Sequence, residues 1–268
     1  MKKVFQCVSI FAVLLLTGCT AIDAVTGQKT RNFYSLQEDV KLGSQVYGQT
    51  IDAMRKQGVP VNADRARVGQ LQQMVKRIGA VSDLPDLPYE VVLIQTNVVN
   101  ALAAPGGKIM VYEGLWDPKK GLARDEDEIA AVIAHEIAHV NARHSTEAMT
   151  RAMPANLITT FGLAFTAGTK YEQVAQVAAT AGMFWHNGMY MTRYSRENET
   201  EADSIGMMYM AKAGYDPRAA VRIWERAAQH RTGQDPAASI FSTHPADNVR
   251  LQNLRARLPE ALRVYQNR

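Results

Sequence analysis

The sequence predicts an α+β chain, mainly helical, with one small and mostly antiparallel sheet. Three observations predict it. Apolar residues recur at three- and four-residue spacing, as at Val68, Leu71, Val75 and Ile78. Three short β-branched runs fall between residues 89 and 112, two of them separated by the turn-forming Pro105-Gly106-Gly107. A longer stretch, Ile129 to His144, is strongly apolar around its histidines and Glu136, as a buried central helix would be.

With 268 residues, 47% hydrophobic and 21% charged, the chain can bury one substantial core. Its first residues have the zones of an export signal: Lys2 and Lys3, an apolar run from Val4 to Leu16, then small residues. Leu16-Thr17-Gly18-Cys19 resembles a bacterial lipobox, with cleavage before Cys19 and acylation of its thiol; a plain signal peptide or an uncleaved anchor is the alternative. The expected organisation is a signal peptide over 1–18, a lipidated tether over 19–32 and one domain over 33–268. Thr20 rather than Asp follows the cysteine, which favours the outer membrane in enteric-type sorting. Removing Lys2 and Lys3 takes the net charge from +4 to +2, too little for a nucleic-acid partner. Cys7 and Cys19 are the two cysteines, so the expected domain has neither a disulfide nor a cysteine-held metal.

Along the domain, Ser35 and Glu38 form a capping box ahead of a helix to about Lys56, closed by Gly58 and Pro60. A second helix is expected from about Ala63 to Ile78. Strands follow at Tyr89–Ile94, Val98–Ala103 and Ile109–Tyr112, with a hairpin between the last two. Asp125 to Glu128 place acids where a helix N-terminus is electropositive, so the run reads as the cap of the Ile129–His144 helix. Pro154 to Met183 reads as a packed helical hairpin rather than a membrane span, because Lys170, Glu172, Gln173 and Gln176 interrupt it. Helices are expected at Tyr194–Ala213, stopped by Gly214, from Pro217 onward behind Asp216, and at about Ala246–Arg257 after a loop.

His135-Glu136-Ile137-Ala138-His139 is an H-E-x-x-H motif inside a predicted helix, the context that gives it weight. Histidines four apart share a helix face and can converge on one tetrahedral zinc, one ion per chain, with Glu136 placed to take a proton from water. As core residues the same three would cost far more to bury. A third ligand is needed. His144 lies five residues past His139, and Ala142 and Ser145 do not match the metzincin spacing, so it reads as a helix-end group or one that orients a ligand. Glu197, Glu199, Glu201 and Asp203 cluster on a later helix; Glu199 and Asp203 share a face, so one can bind metal while the other orients a histidine.

The set resembles the HtpX-like and CAAX-prenyl-protease-like family of zinc metallopeptidases, in its soluble bacterial lipoprotein branch. The matching pieces are Asn100-Ala101-Leu102-Ala103 with Pro105-Gly106-Gly107, His135 to His139, Tyr194-Ser195-Arg196 with Glu199 to Asp203, and Ser242-Thr243-His244-Pro245 with Arg250. The resemblance implies a gluzincin-type zincin domain in which Glu199 is the third ligand and Asp203 stands behind a ligand. It also implies that Asn100, Ala101, Leu102 and Ala103 line the substrate cleft as an edge strand. His244 and Arg250 match residues near the metal, where they stabilise an oxyanion or where His244 fills the open zinc position; the alternative is a helix cap and a surface arginine. An exported, lipid-tethered protease implies unfolded or misfolded envelope proteins as substrates and contact with outer-membrane assembly machinery. An envelope chaperone or assembly factor with a latent or structural zinc is the alternative from another class.

Overall fold

The computed structural model describes residues 20–22, 25, 27, 29–116, 121–151, 194–229, 244 and 248–268. The proposed signal peptide, Cys19, the Pro154–Met183 hairpin and most of the loop before Pro245 lie outside them. Two short strands, β1 (Thr20–Ile22) and β2 (Lys29–Arg31), pair antiparallel within the stretch expected as tether. Helix α1 (Leu36–Lys56) starts on the expected capping box: Ser35 N–H donates to Glu38 Oε2 at 2.6 Å, and Ser35 Oγ accepts from Glu38 N–H. Helix α2 (Arg65–Gly79) starts behind Asp64.

Strands β3 (Glu90–Ile94), β4 (Ala101–Ala104) and β5 (Lys108–Tyr112) form a mixed sheet in the order β3-β5-β4. β4 and β5 make the expected hairpin, with Ala101 opposite Val111 and Ala104 opposite Lys108. β3 runs parallel to β5 because the hairpin adds to it through its second strand. The hairpin turn needs its glycine: Gly106 has φ +68°, and a Cβ there would lie 2.4 Å from Val40 Cα of α1. Alternation splits the sheet faces between two cores. Val91, Leu93, Ala101, Ile109 and Val111 face α2 and the central helix, whereas Val92, Ile94, Ala104 and Met110 face Tyr47, Ile51 and Met54 of α1. β4 is therefore a sheet edge.

The central helix α3 (Glu126–Asn141) is buried from Glu128 to Asn141. It stops three residues short of the expected His144. Arg143 has φ +55°, and residues 144–151 begin a new helical run. Long-range contacts hold this break: Arg143 Nε donates to Asp39 Oδ2 at 2.6 Å and Nη2 to the Tyr34 carbonyl. Helix α4 (Arg196–Ala213) ends at left-handed Gly214, and α5 (Arg218–Gln229) follows. Helix α6 (Asn248–Gln266) runs past the expected end at Arg257 and through Pro259. Packing overrides the proline, since Leu258 just before it and Ala261, Val264 and Tyr265 beyond it all pack on the main core. Among the described residues no helix is long and apolar enough to cross a membrane.

Candidate metal centre

Helix α3 carries His135, Glu136 and His139, all buried. Helix α4 crosses it closely enough that a Cβ on Gly206 would sit 2.9 Å from the Ala134 carbonyl and His135 N. Glu199 and Asp203 lie seven and three residues before Gly206, on the same face, so this contact presses both carboxylates onto the two histidines. His135 Nε2 and His139 Nε2 are 3.0 Å apart, and Glu199 oxygens lie 3.4 Å from each. His135 Nδ1 lies 3.0 Å from Asp203 Oδ1. Of the four acids that cluster in the sequence, Glu199 and Asp203 enter this group directly.

His244, far away in sequence, completes the cluster. Its Nδ1 lies 3.3 Å from His135 Nε2 and 3.1 Å from Glu199 Oε1; its Nε2 lies 3.3 Å from Glu136 Oε1 and 3.4 Å from the Ala101 carbonyl. One donor atom each from His135, His139, Glu199 and His244 fits within 4.8 Å of the others. Arg250 is buried against the same carboxylates. Its Nη1 reaches Glu199 Oε2 at 2.7 Å, its Nε and Nη2 clamp Asp203 at 2.7 and 2.8 Å, and its guanidinium stacks 4.0 Å over Trp224.

This donor set fits zinc. Three imidazoles and a carboxylate are the ligand types zinc takes in tetrahedral sites. Glu136 Oε2 is buried without a hydrogen-bond partner among the described residues, beside the donors. Burial works to lower His135, but its pairing with Asp203 and Glu199 outweighs burial and holds the imidazole up at about 9. Burial drives His139 the other way, well below its ordinary value. Burial raises Glu136, against the lowering influence of His244 and His135. Burial also opposes ionisation of Glu199, yet His244 and Arg250 hold its carboxyl well below the usual range. Glu199 and Asp203 are thus held charged beside the histidines, whereas Glu136 is pushed toward its neutral form.

Three further groups support the centre: the sequence reads His144 as a helix-end group or one that orients a ligand and places Tyr194 in the family pattern, but gives no local signal for Trp224. His139 Nδ1 lies 2.8 Å from His144 Nδ1, and His144 Nε2 lies 3.0 Å from Glu201 Oε2. Five residues along an unbroken helix would turn His144 about 140° away from His139; the break at Arg143 brings it back. Tyr194 stacks on the His139 ring at 3.9 Å, and its hydroxyl lies 2.8 Å from Ser145 Oγ and 3.4 Å from the Ala103 carbonyl. Trp224 lies edge-on to His135 at 5.8 Å. Of the expected cleft strand, Asn100 precedes β4 and caps Ala101 N–H with its own Oδ1, while Ala101 and Ala103 turn their carbonyls toward the centre.

The model of peptidase family M48 matches residues 65–258, a span that includes every donor. The chain belongs to peptidase family M48. Family and donor set together assign the site to a zinc metalloendopeptidase. Among family relatives, the mitochondrial metalloendopeptidase OMA1 of Schizosaccharomyces pombe is 40% identical over 71% of this chain and 53% of its own length. A putative beta-barrel assembly-enhancing protease of Vibrio cholerae is 31% identical over 79% of this chain and 43% of its own. The Escherichia coli beta-barrel assembly-enhancing protease is 30% identical over 63% and 34%. The chain thus spans about half or less of these relatives.

Proposed function

We propose that the chain is a zinc-dependent endopeptidase of the bacterial cell envelope, in the soluble lipoprotein branch of its family. It is held by lipid on Cys19 at the periplasmic face of the outer membrane, and it hydrolyses unfolded or misassembled envelope proteins, clients of outer-membrane assembly among them. The relatives named for beta-barrel assembly and the lipobox-like Leu16-Thr17-Gly18-Cys19 support the location and substrate class. The observation that carries the peptidase reading is Glu136, whose buried Oε2, without a partner among the described residues, stands beside four metal donors. Bound zinc supplies Lewis acidity to water and to the scissile carbonyl. Glu136 takes the proton of the attacking water and returns it to the leaving amine. Asp203 orients His135, Arg250 fixes the charge and direction of Glu199, and the β4 edge at Ala101 and Ala103 pairs with an extended substrate.

His244 supports a latent form of the same site. Catalytic zinc sites keep a position open, whereas closed sites have four protein ligands. His244 Nδ1 lies among the donors while its Nε2 approaches the Ala101 carbonyl that a substrate would use. An assembly factor with a structural zinc shares that geometry. The deciding experiment is cleavage of an unfolded model protein, with zinc content measured, by wild type, Glu136→Gln and His244→Ala. Cleavage by wild type but not Glu136→Gln is expected, with His244→Ala more active. Full zinc in all three with no cleavage in any would replace the peptidase with the assembly factor.

A further inference from the structure

On the α1 side of the β4 edge lies a cavity of about 180 Å³, separate from the metal donors. Leu42 and Val46 of α1, Leu102 and Met110 of the sheet, Met149 of the 144–151 helix, and Tyr194 line it. Leu42, Val46, Leu102, Met149 and Tyr194 are half-buried, so the cavity is an apolar pocket open to solvent, the form that ligand sites take. It lies against the β4 edge strand, through Leu102, Ala103 and Ala104. Tyr194 is a wall of the cavity and simultaneously stacks on His139, so the cavity and the metal centre share a partition one ring thick.

Resting on the peptidase reading above, we propose that this cavity is a specificity subsite for one large apolar side chain of an extended peptide lying along β4. Alternation carries the argument. A strand added to β4 sends successive side chains to opposite faces of the sheet. On one face lie Ala101 and the α3 core beside the donors; on the other lie Leu102, Met110 and the cavity. The Ala103 carbonyl at this edge accepts long bonds from Tyr194 at 3.4 Å and Ser145 at 3.5 Å, which a peptide N–H replaces at little cost. The substrates this selects are extended segments with a leucine, methionine or phenylalanine at a fixed distance from the scissile bond, a pattern that folded proteins bury and unfolded ones expose.

The test is cleavage of a peptide set varied one position at a time. Wild type is expected to favour Leu, Met or Phe over Gly at one fixed position by about tenfold or more in kcat/KM. Val46→Trp and Met149→Trp fill the cavity from two different helices, and each should shift that preference to Gly or Ala with thermal stability and zinc content retained. An unshifted preference in both folded variants overturns the subsite and leaves the peptidase standing. Binding of the same peptides to Glu136→Gln by fluorescence anisotropy separates the two readings. Leu-selective binding that Val46→Trp abolishes, without any cleavage by wild type or by His244→Ala, upholds the subsite and rejects the peptidase. Neither cleavage nor selective binding rejects both.

Discussion

Helix α3 holds two buried glutamates, Glu128 and Glu136, eight residues apart, and their surroundings are opposite. Glu128 is saturated: Arg226 donates twice, at 2.7 and 3.0 Å, Arg222 once at 3.2 Å and Arg124 N–H once at 2.8 Å. Burial opposes its ionisation, but Arg226 and the Arg124 N–H outweigh burial and lower its pKa. Glu136 has an oxygen without a partner among the described residues, and burial raises its pKa. One carboxylate is spent tying α5 to the start of α3; the other is kept underused. Equal burial on one helix therefore tells little about role, while the completeness of hydrogen bonding tells much.

The largest effect that sharpens this contrast is on rate. Glu136→Gln should lower peptide cleavage by about 10²–10⁴-fold while zinc content and melting temperature hold; a variant within tenfold of wild type would make Glu136 as structural as Glu128. Next in size, Glu128→Ala should cost about 1–3 kcal/mol in urea unfolding, because it removes the acceptor shared by Arg226, Arg222 and the Arg124 N–H, while Arg222 keeps Asp125 and Arg226 keeps the Leu122 carbonyl. Its activity per folded molecule should stay unchanged, and a specific loss of turnover would break the contrast from the other side.

The same pair separates by pH. The folded pKa of Glu128 lies below the unfolded value near 4.5, so its contribution is fully present above that value and is lost as pH falls through the lower folded one. The stability gap between wild type and Glu128→Ala should accordingly close in acid. A gap independent of pH would assign the loss to packing instead of charge. The smallest effect concerns orientation: His144→Leu should weaken zinc retention about 10–100-fold in chelator competition by freeing His139 to turn. Unchanged affinity would mean that the ring is positioned by Tyr194 alone.

What the sequence disclosed follows the range of the interactions involved. His135 and His139 lie one turn apart on one helix, so their convergence is written in a four-residue spacing. The spacing of Glu199 and Asp203 gave their shared face. Their depth against α3 comes from Gly206, whose close approach nothing local announces. The Ile129–His144 pattern reads as one helix because its break is imposed by Asp39, 104 residues from Arg143. The β4–β5 hairpin was legible in its turn, whereas the parallel pairing of β3 needed the assembled sheet. His244, Arg250 and Tyr194 came into view as pieces of a family pattern; their distances from the donors are tertiary facts.

The donors come from α3, from α4 and from His244, which stands 109 residues beyond His135. A cation gripping all four is a cross-link that closes long stretches of chain, and the longer the closed loop, the more freedom its release returns to the unfolded chain. Metal occupancy thereby becomes a mechanical property of the fold as well as a chemical one: a chain stripped by a chelator loses a clasp between its halves, and becomes more exposed to the kind of cleavage it is built to perform.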